Sequence, residues 1–220
     1  MTKNQHYVDL IRKYTIENSL NIATIFELGS RDLLDSIALR KVFHAKVHAF
    51  EANPVAQERM LTNILDIPWG DRWNIYMSFG AINTYNGMCD FYQVDDTPIS
   101  DIGGSSVLRF DDNSPVKFPQ RKISVKCDRL DNYCVQNNIG SVDLIWSDLQ
   151  GFDAIAISTL GDNLLSTIKI IFCEVEYNRV YNGSTLFPDV LNMFSHLGMK
   201  LVYKDISKFD PSYGNCMFAR

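Results

Sequence analysis

The sequence has no long hydrophobic run. Its longest mostly apolar stretch, Ile168 to Val175, is broken by Lys169 and Glu174. It falls far short of the roughly 20 residues that a membrane-spanning helix needs. The first residues, MTKNQHYVDLIRKY, contain no apolar h-region, so no secretory leader is expected. There are five cysteines, an odd number, and no CxxC pair; Cys127 and Cys134 come closest. That usage predicts reduced thiols and a cytoplasmic location. Positive charge is also scarce, with 21 Lys plus Arg against 26 acids and a net charge of -5. The basic residues form no stripe, and the densest patch, Arg121 to Lys126, reads as a solvated strand edge. Neither nucleic acid nor a membrane is therefore expected as a partner. The four histidines join no compact ligand set, so no metal is expected. A G-x-S-x-G elbow is missing too, which argues against acyl-enzyme chemistry.

What remains is the composition of an ordinary core-forming chain, 46% hydrophobic and 21% charged. Its length of 220 residues predicts a single domain over 1–220. Tyr7, Leu10, Ile11 and Tyr14 recur at helical spacing and predict a helix over about 4–18. Strands are expected at Ala23–Leu28, Lys46–Ala52 and Asn74–Ile82, with amphipathic helices between them. Asn53-Pro54 supplies a cap and a first-turn proline for the second of these helices. This βαβαβ order implies a parallel sheet with right-handed crossovers. Residues 84–118 break the rhythm, with glycines, prolines and the loop DIGGSSVLRF, and read as an insertion folded over the sheet. Alternation then resumes with ISVKC, a short helix, a buried strand at Val142–Asp148 and the most apolar strand at Ile168–Glu176. A helix over Phe187–Leu197 follows, and then a closing antiparallel pair around Lys200 and Met217. The expected fold is an α/β three-layer sandwich on a mostly parallel, seven-stranded sheet.

In such sheets ligands bind beyond the carboxyl ends of the strands, near the reversal of strand order. The strand ends here read FELGSRD, FEANP, WSDLQG and CEVEYN, and each carries an acid. Carboxylates are costly to bury without partners, so their convergence marks a site. A dinucleotide fingerprint is absent, because the positions flanking Gly29 hold Glu27 and Asp32, which would repel a pyrophosphate. The same acids suit a cationic ligand, and Glu51 can accept from both hydroxyls of a ribose. A nucleoside joined to a cationic amino acid satisfies both ends, and S-adenosylmethionine is such a molecule.

The segments FELGSRDLLDS, VHAFEANP, VDLIWSDLQGFD and IKIIFCEVEYNRVYNG, in this order, resemble the FkbM-type methyltransferases. These are a branch of the S-adenosylmethionine-dependent class I, Rossmann-like fold, and the resemblance runs from about Ala23 to the C-terminus. It implies transfer of a methyl group to a hydroxyl of a sugar, glycan or other small molecule, without a metal. Glu27 and Gly29 then correspond to the acid and turn glycine that hold the methionine portion, with Ser36 on the following helix. Glu51 corresponds to the ribose-binding acid, and Ala52 and Asn53 to the loop after it. Arg31, in place of a small or polar residue, is a candidate for the cofactor carboxylate. Asp148 corresponds to the acid of a D-x-E-G motif, so it would orient or deprotonate the acceptor hydroxyl. Many members carry Lys where this chain has Trp146 and Glu where it has Gln150, whereas Gly151 is retained.

Glu174 and Glu176 share one strand face; Glu174 is taken as catalytic and Glu176 as a substrate contact. Tyr177, Ser106 and Arg109 complete the expected acceptor contacts, while Tyr85, Phe91 and Tyr181 are further candidates for an apolar pocket wall. Trp69 and Trp73 read as loop packing. Two other readings are a non-catalytic, cofactor-binding scaffold of the same fold, and an NAD(P)-dependent sugar-modifying enzyme.

Overall fold

Five strands run parallel through the centre of the protein: β1 (Thr24–Leu28), β2 (Lys46–Glu51), β3 (Ile75–Phe79), β7 (Leu144–Ser147) and β8 (Ile170–Glu176). With β9 (Lys200–Lys204) and β10 (Tyr213–Ala219) they form a seven-stranded sheet in the order β3-β2-β1-β7-β8-β10-β9. Strand β10 lies antiparallel to both of its neighbours. The computed structural model describes residues 4–220 except 96, 98, 99, 115, 116 and 209.

The central strands are short and almost wholly buried because helices cover both faces. One face packs Phe26, Leu28, Ile145 and Ile171 against α5 (Leu130–Gln136), α6 (Asp153–Ser158) and α8 (Phe187–His196). The other packs Ile25, Val47, Leu144 and Phe172 against α1 (Gln5–Glu17), α2 (Leu34–Phe43) and α3 (Pro54–Asn63). Alternate residues of β1 thus serve opposite cores, as the two-residue period of a strand requires. The architecture is the mostly parallel Rossmann-like sandwich expected, and α1 falls within the expected 4–18. Helix α3 begins as anticipated: the Asn53 side chain accepts from the Val55 N–H at 3.0 Å, and Pro54 opens the first turn.

Three details differ from the sequence expectation. The third strand does not continue to Ile82, because Gly80 ends it and Ala81–Ile82 (β4) leave the main sheet. A Cβ at Gly80 would lie 2.9 Å from the Lys126 carbonyl oxygen, so this crossing needs glycine. Second, the ISVKC strand lies outside the main sheet. It belongs to β6 (Gln120–Asp128), which pairs with β4 and with β5 (Gly87–Val94) in a three-stranded sheet over its own small apolar cluster. The insertion is therefore built on that small sheet, although five of its positions lie outside the described residues. Third, Trp69 and Trp73 are not packed into a loop; they are 68% and 70% exposed. All five cysteines are buried free thiols, and among the described residues no helix is long and apolar enough to cross a membrane.

Candidate active site

Strand order reverses between β1 and β7, and there the two strand-end turns touch. Gly29 follows β1 with φ +83°, and a Cβ there would strike the Asp148 carbonyl oxygen. Only glycine fits both constraints. The amides of Gly29 and Ser30 donate to the Phe50 carbonyl at 3.0 and 2.9 Å, and the Asp148 amide to the Leu28 carbonyl at 2.9 Å. The tips of β1, β2 and β7 are thus laced together. Above them lies a cavity of about 550 Å³, a volume typical of small-molecule sites.

Glu51 ends β2 on the floor of this cavity. One carboxylate oxygen accepts from the Arg31 amide and the other from the Asn53 amide, both at 2.7 Å. Burial raises its pKa from the ordinary carboxylate value, and the backbone donors oppose that rise. Each oxygen keeps a further lone pair. Beside it, Phe50, Ala52, Ala81, Ile82 and Val107 make an apolar wall. Asn53 itself lies behind the wall, fully buried. Its amide nitrogen donates to the Ser105 hydroxyl at 2.9 Å, and its oxygen accepts from Gln93 at 3.1 Å.

Glu27 and Ser36 face each other beneath the Gly29 turn and not the cavity. Ser36 and Ser30 both donate to the Glu27 carboxylate, and all three residues are buried. Glu27 shares its strand face with Ile25, toward α2, which explains the placement. Burial holds its pKa well above the usual range, with Asp35 and Asp32 adding to the rise. Arg31 stands at the cavity mouth in a left-handed conformation, φ +52°. Its guanidinium is 3.8 Å from Asp32 and 3.9 Å from Asp101.

Beyond the Gly29 turn the wall becomes acidic. Asp148 opens onto the cavity, and the Gln150 amide nitrogen lies 2.5 Å from its carboxylate and 3.3 Å from Glu174. The Tyr181 hydroxyl is 2.8 Å from the Gln150 oxygen and 3.0 Å from the Gly104 carbonyl. Desolvation raises the Asp148 pKa, with Asp35 and Asp101 adding to it and the Gln150 amide and Arg31 opposing it. Glu174 is pushed well above its ordinary value by burial, then by Asp148, Asp153 and Glu176. Glu176 is 2% exposed; one oxygen accepts from Ser184 at 2.5 Å and Val180 at 2.8 Å.

A 3-10 turn at Ile102–Gly104, with Ser105 and Ser106, roofs the cavity. Ser106 is tied to the wall, its backbone pairing with Tyr92 and its hydroxyl donating to the Leu149 carbonyl at 3.3 Å. Two of the expected acceptor contacts do not reach the cavity. Arg109 turns outward to Asp112, 3.2 Å away. Tyr177 lies on the opposite strand face from Glu174 and Glu176, where its hydroxyl donates to the Asp205 carbonyl at 2.7 Å. Tyr85 is likewise outside, whereas Phe91 and Tyr181 line the cavity. Sequence reasoning missed Asp35 and Asp210 on the wall. Asp35 sits in the first turn of α2, one residue before Ser36, a placement that could have been read; Asp210 lies in the loop before β10, where no local pattern signals it. Among the described residues no group of three or more His, Cys, Asp or Glu side chains could hold a metal.

Comparison with known proteins settles the family. The Methyltransferase FkbM domain model matches residues 34–201. The chain belongs to the FkbM methyltransferase family. Its FELGSRD turn and closing strand lie outside the matched range. The protein is similar to the 2-O-methyltransferase NoeI of Sinorhizobium fredii, with 28% identity over 179 residues, 77% of this chain and 70% of the relative. Among solved structures, the fibrillarin pre-rRNA processing protein of Methanococcus jannaschii superposes with a TM-score of 0.53 at 13% identity. That match covers 90% of this chain and 66% of the other, just under two thirds of its length. The magnesium protoporphyrin IX methyltransferase of Synechocystis PCC 6803, solved with S-adenosylmethionine bound, gives 0.53 at 10% identity, covering 99% and 79%. These likenesses establish a class I, Rossmann-like methyltransferase fold, and membership of the FkbM family makes this chain a methyltransferase.

Proposed function

We propose that the protein transfers a methyl group from S-adenosylmethionine to a hydroxyl of a sugar, glycan or other small acceptor, within the roofed cavity. The observation that carries this reading is the meeting of Gly29, Glu51 and Asp148 around one cavity at the reversal of strand order. The residues present fit the cofactor. The Gly29 turn lines the cavity, Glu51 offers spare lone pairs beside an apolar wall, and Arg31 stands at the mouth. In this reading Glu51 accepts from the ribose hydroxyls, and Phe50, Ala52 and Ile82 flank the base. The Gly29–Arg31 segment borders the methionine portion, with Glu27 and Ser36 holding the turn from behind. When bound, S-adenosylmethionine supplies an electrophilic methyl carbon on a sulfonium.

The remaining chemistry belongs to the acidic wall. Asp148 accepts the proton of the acceptor hydroxyl, or orients that hydroxyl in line with the methyl carbon. A raised pKa makes it a better proton acceptor than an ordinary carboxylate, and the Gln150 amide keeps it aimed. Glu174 shares the same amide and stands as the second carboxylate at the reacting centre. Ser106 and the Ile102–Gly104 turn exclude water from above. The relative's printed name, a 2-O-methyltransferase, supports an oxygen acceptor.

Incubation with radiolabelled S-adenosylmethionine and a panel of sugars, glycans and small hydroxylated compounds tests the reading. Label is expected in a base-stable ether on one acceptor class. Calorimetry showing that the protein binds neither the cofactor nor its demethylated product would overturn it.

A further inference from the structure

Tyr181 stands beside Gln150 on the cavity wall, and the methyl-transfer reading gives it no task. It is 2% exposed, and its hydroxyl lies between two acceptors. These are the Gln150 side-chain oxygen at 2.8 Å and the Gly104 carbonyl of the roof at 3.0 Å. The ring is held in place. It stacks on Phe110 with centroids 4.6 Å apart, and the two backbones form an antiparallel bridge. Glu176 fixes the same stretch, accepting from the Val180 amide at 2.8 Å and from the Ser184 hydroxyl at 2.5 Å. Burial, then Glu174 and Asp148, hold the phenol pKa well above its ordinary value, so Tyr181 keeps its proton and acts as a donor.

The Gln150 side chain ends in an oxygen and an NH2 of nearly equal size, so shape alone does not choose between its two orientations. In the orientation the structure holds, the NH2 lies 2.5 Å from Asp148 and 3.3 Å from Glu174, and the oxygen accepts from Tyr181. Turned over, the amide would set its oxygen against two carboxylates that offer no proton when ionised. The phenol proton directed at Gln150 would then meet no acceptor there. It serves one acceptor at a time, and the shorter contact is to Gln150. A donor at Tyr181 thus favours the orientation whose NH2 points at Asp148, and that NH2 eases the negative charge on the carboxylate.

We propose that Tyr181 is a positioning residue for the methyl transfer: its hydroxyl holds the Gln150 amide with the NH2 toward Asp148, and so keeps Asp148 in the ionised form that takes the acceptor's proton. The proposal rests on the methyl-transfer reading above, in which Asp148 is the proton acceptor, and adds the group that controls its ionisation. Tyr181 acts through Gln150 and not on the reacting atoms. Asp148 is also faced by Arg31 and Glu51 from the neighbouring strand ends and by Asp35 from α2. Asp101 faces it from the roof, Asp153 from α6 and Glu174 from β8. Removing the Tyr181 hydroxyl alters none of these groups, so a change in Asp148 ionisation reports the amide.

Tyr181→Phe keeps the ring on Phe110 and removes only the hydroxyl, and two measurements on it test this. The first needs no substrate. Carboxylate carbon NMR signals of aspartate-labelled protein are followed against pH, with Asp148→Asn identifying the signal of Asp148. Its midpoint is expected at higher pH in Tyr181→Phe than in the parent, and coincident midpoints overturn the proposal. The second is the pH–rate profile with S-adenosylmethionine and an acceptor that the parent methylates. On its acid side kcat should fall about tenfold, the change expected when an ionised base loses one donor, while the plateau at high pH changes far less. A loss equal at every pH, or one confined to KM, would assign the hydroxyl to pinning the roof at Gly104 and overturns the proposal. In a Gln150→Leu background the added Tyr181→Phe change should leave the acid limb in place, because the route to Asp148 is already cut. A further shift of the same size overturns that route. The NMR titration requires no transfer, so a displaced midpoint in a protein that methylates nothing would refute the methyl-transfer reading and leave the hold of Tyr181 on Asp148 standing.

Discussion

The side-chain amide of Gln150 donates to the Asp148 carboxylate at 2.5 Å. Because the same nitrogen also lies 3.3 Å from Glu174, one neutral group stands between two carboxylates that would otherwise repel each other. Tyr181, donating to the Gln150 oxygen at 2.8 Å, favours the amide orientation that makes this possible.

Gln150→Glu should therefore disturb the site through charge. It removes the donor to Asp148 and adds a further carboxylate, and both changes push the Asp148 pKa higher than its already raised value. If the ionised form accepts the proton, activity rises with pH through that pKa, so the acid limb of the pH–rate profile moves to higher pH. A limb left in place would separate Gln150 from proton transfer.

Asp148→Asn keeps the size and a hydrogen-bonding side chain but cannot take a proton. Turnover should fall by about 10²–10⁴, while cofactor affinity measured by calorimetry stays within a few-fold of the parent. Parental single-turnover rates would assign the proton to another group.

Glu51→Ala strands the Arg31 and Asn53 amides and removes the proposed ribose acceptor. Loss of a buried, charge-assisted partner costs about 2–5 kcal/mol. Cofactor affinity should drop by at least about tenfold, and titration calorimetry that finds no change would contradict the assignment.

Asp153 offers a test of stability. Burial raises its pKa to about 7, even though the Ser147 hydroxyl and the Leu149 amide donate to one oxygen. The other oxygen has no hydrogen-bond partner among the described residues, so no donor there offsets the cost of ionisation. With the folded pKa above the unfolded one, the folded state binds the extra proton between pH about 4 and about 7. The stability contributed by this group is full at the acid end of that window and is lost as pH rises through about 7. Asp153→Asn places an NH2 at the orphan position and should flatten this part of the curve of Tm against pH; an unaltered slope would refute the assignment.

Much of this site could be read along the chain, because it is built from strand ends. A strand reveals its end by the polar residue that breaks an apolar run, so Glu51, Asp148, Glu174 and Glu176 were legible, as was the turn at Gly29. Which way a side chain leaves the strand depends on parity and on the neighbouring layer. Glu27 therefore turned out to serve the Gly29 turn with Ser36, and Tyr177 to pack on the far side of Glu176. Arg109 found Asp112 three residues on, an exposed pairing that any loop conformation could have offered or withheld. The small sheet of β4, β5 and β6 was hidden because its formation hinges on the chain leaving the main sheet at Gly80. Asp210 was hidden because a loop residue carries no periodicity to place it.

The Asn53 amide joins two parts of the cavity that the chain order keeps apart, the loop after Glu51 and the roof at Ser105. On the proposed reading these are the cofactor's wall and the acceptor's ceiling, so a single buried side chain sets the spacing between the two halves of the cavity.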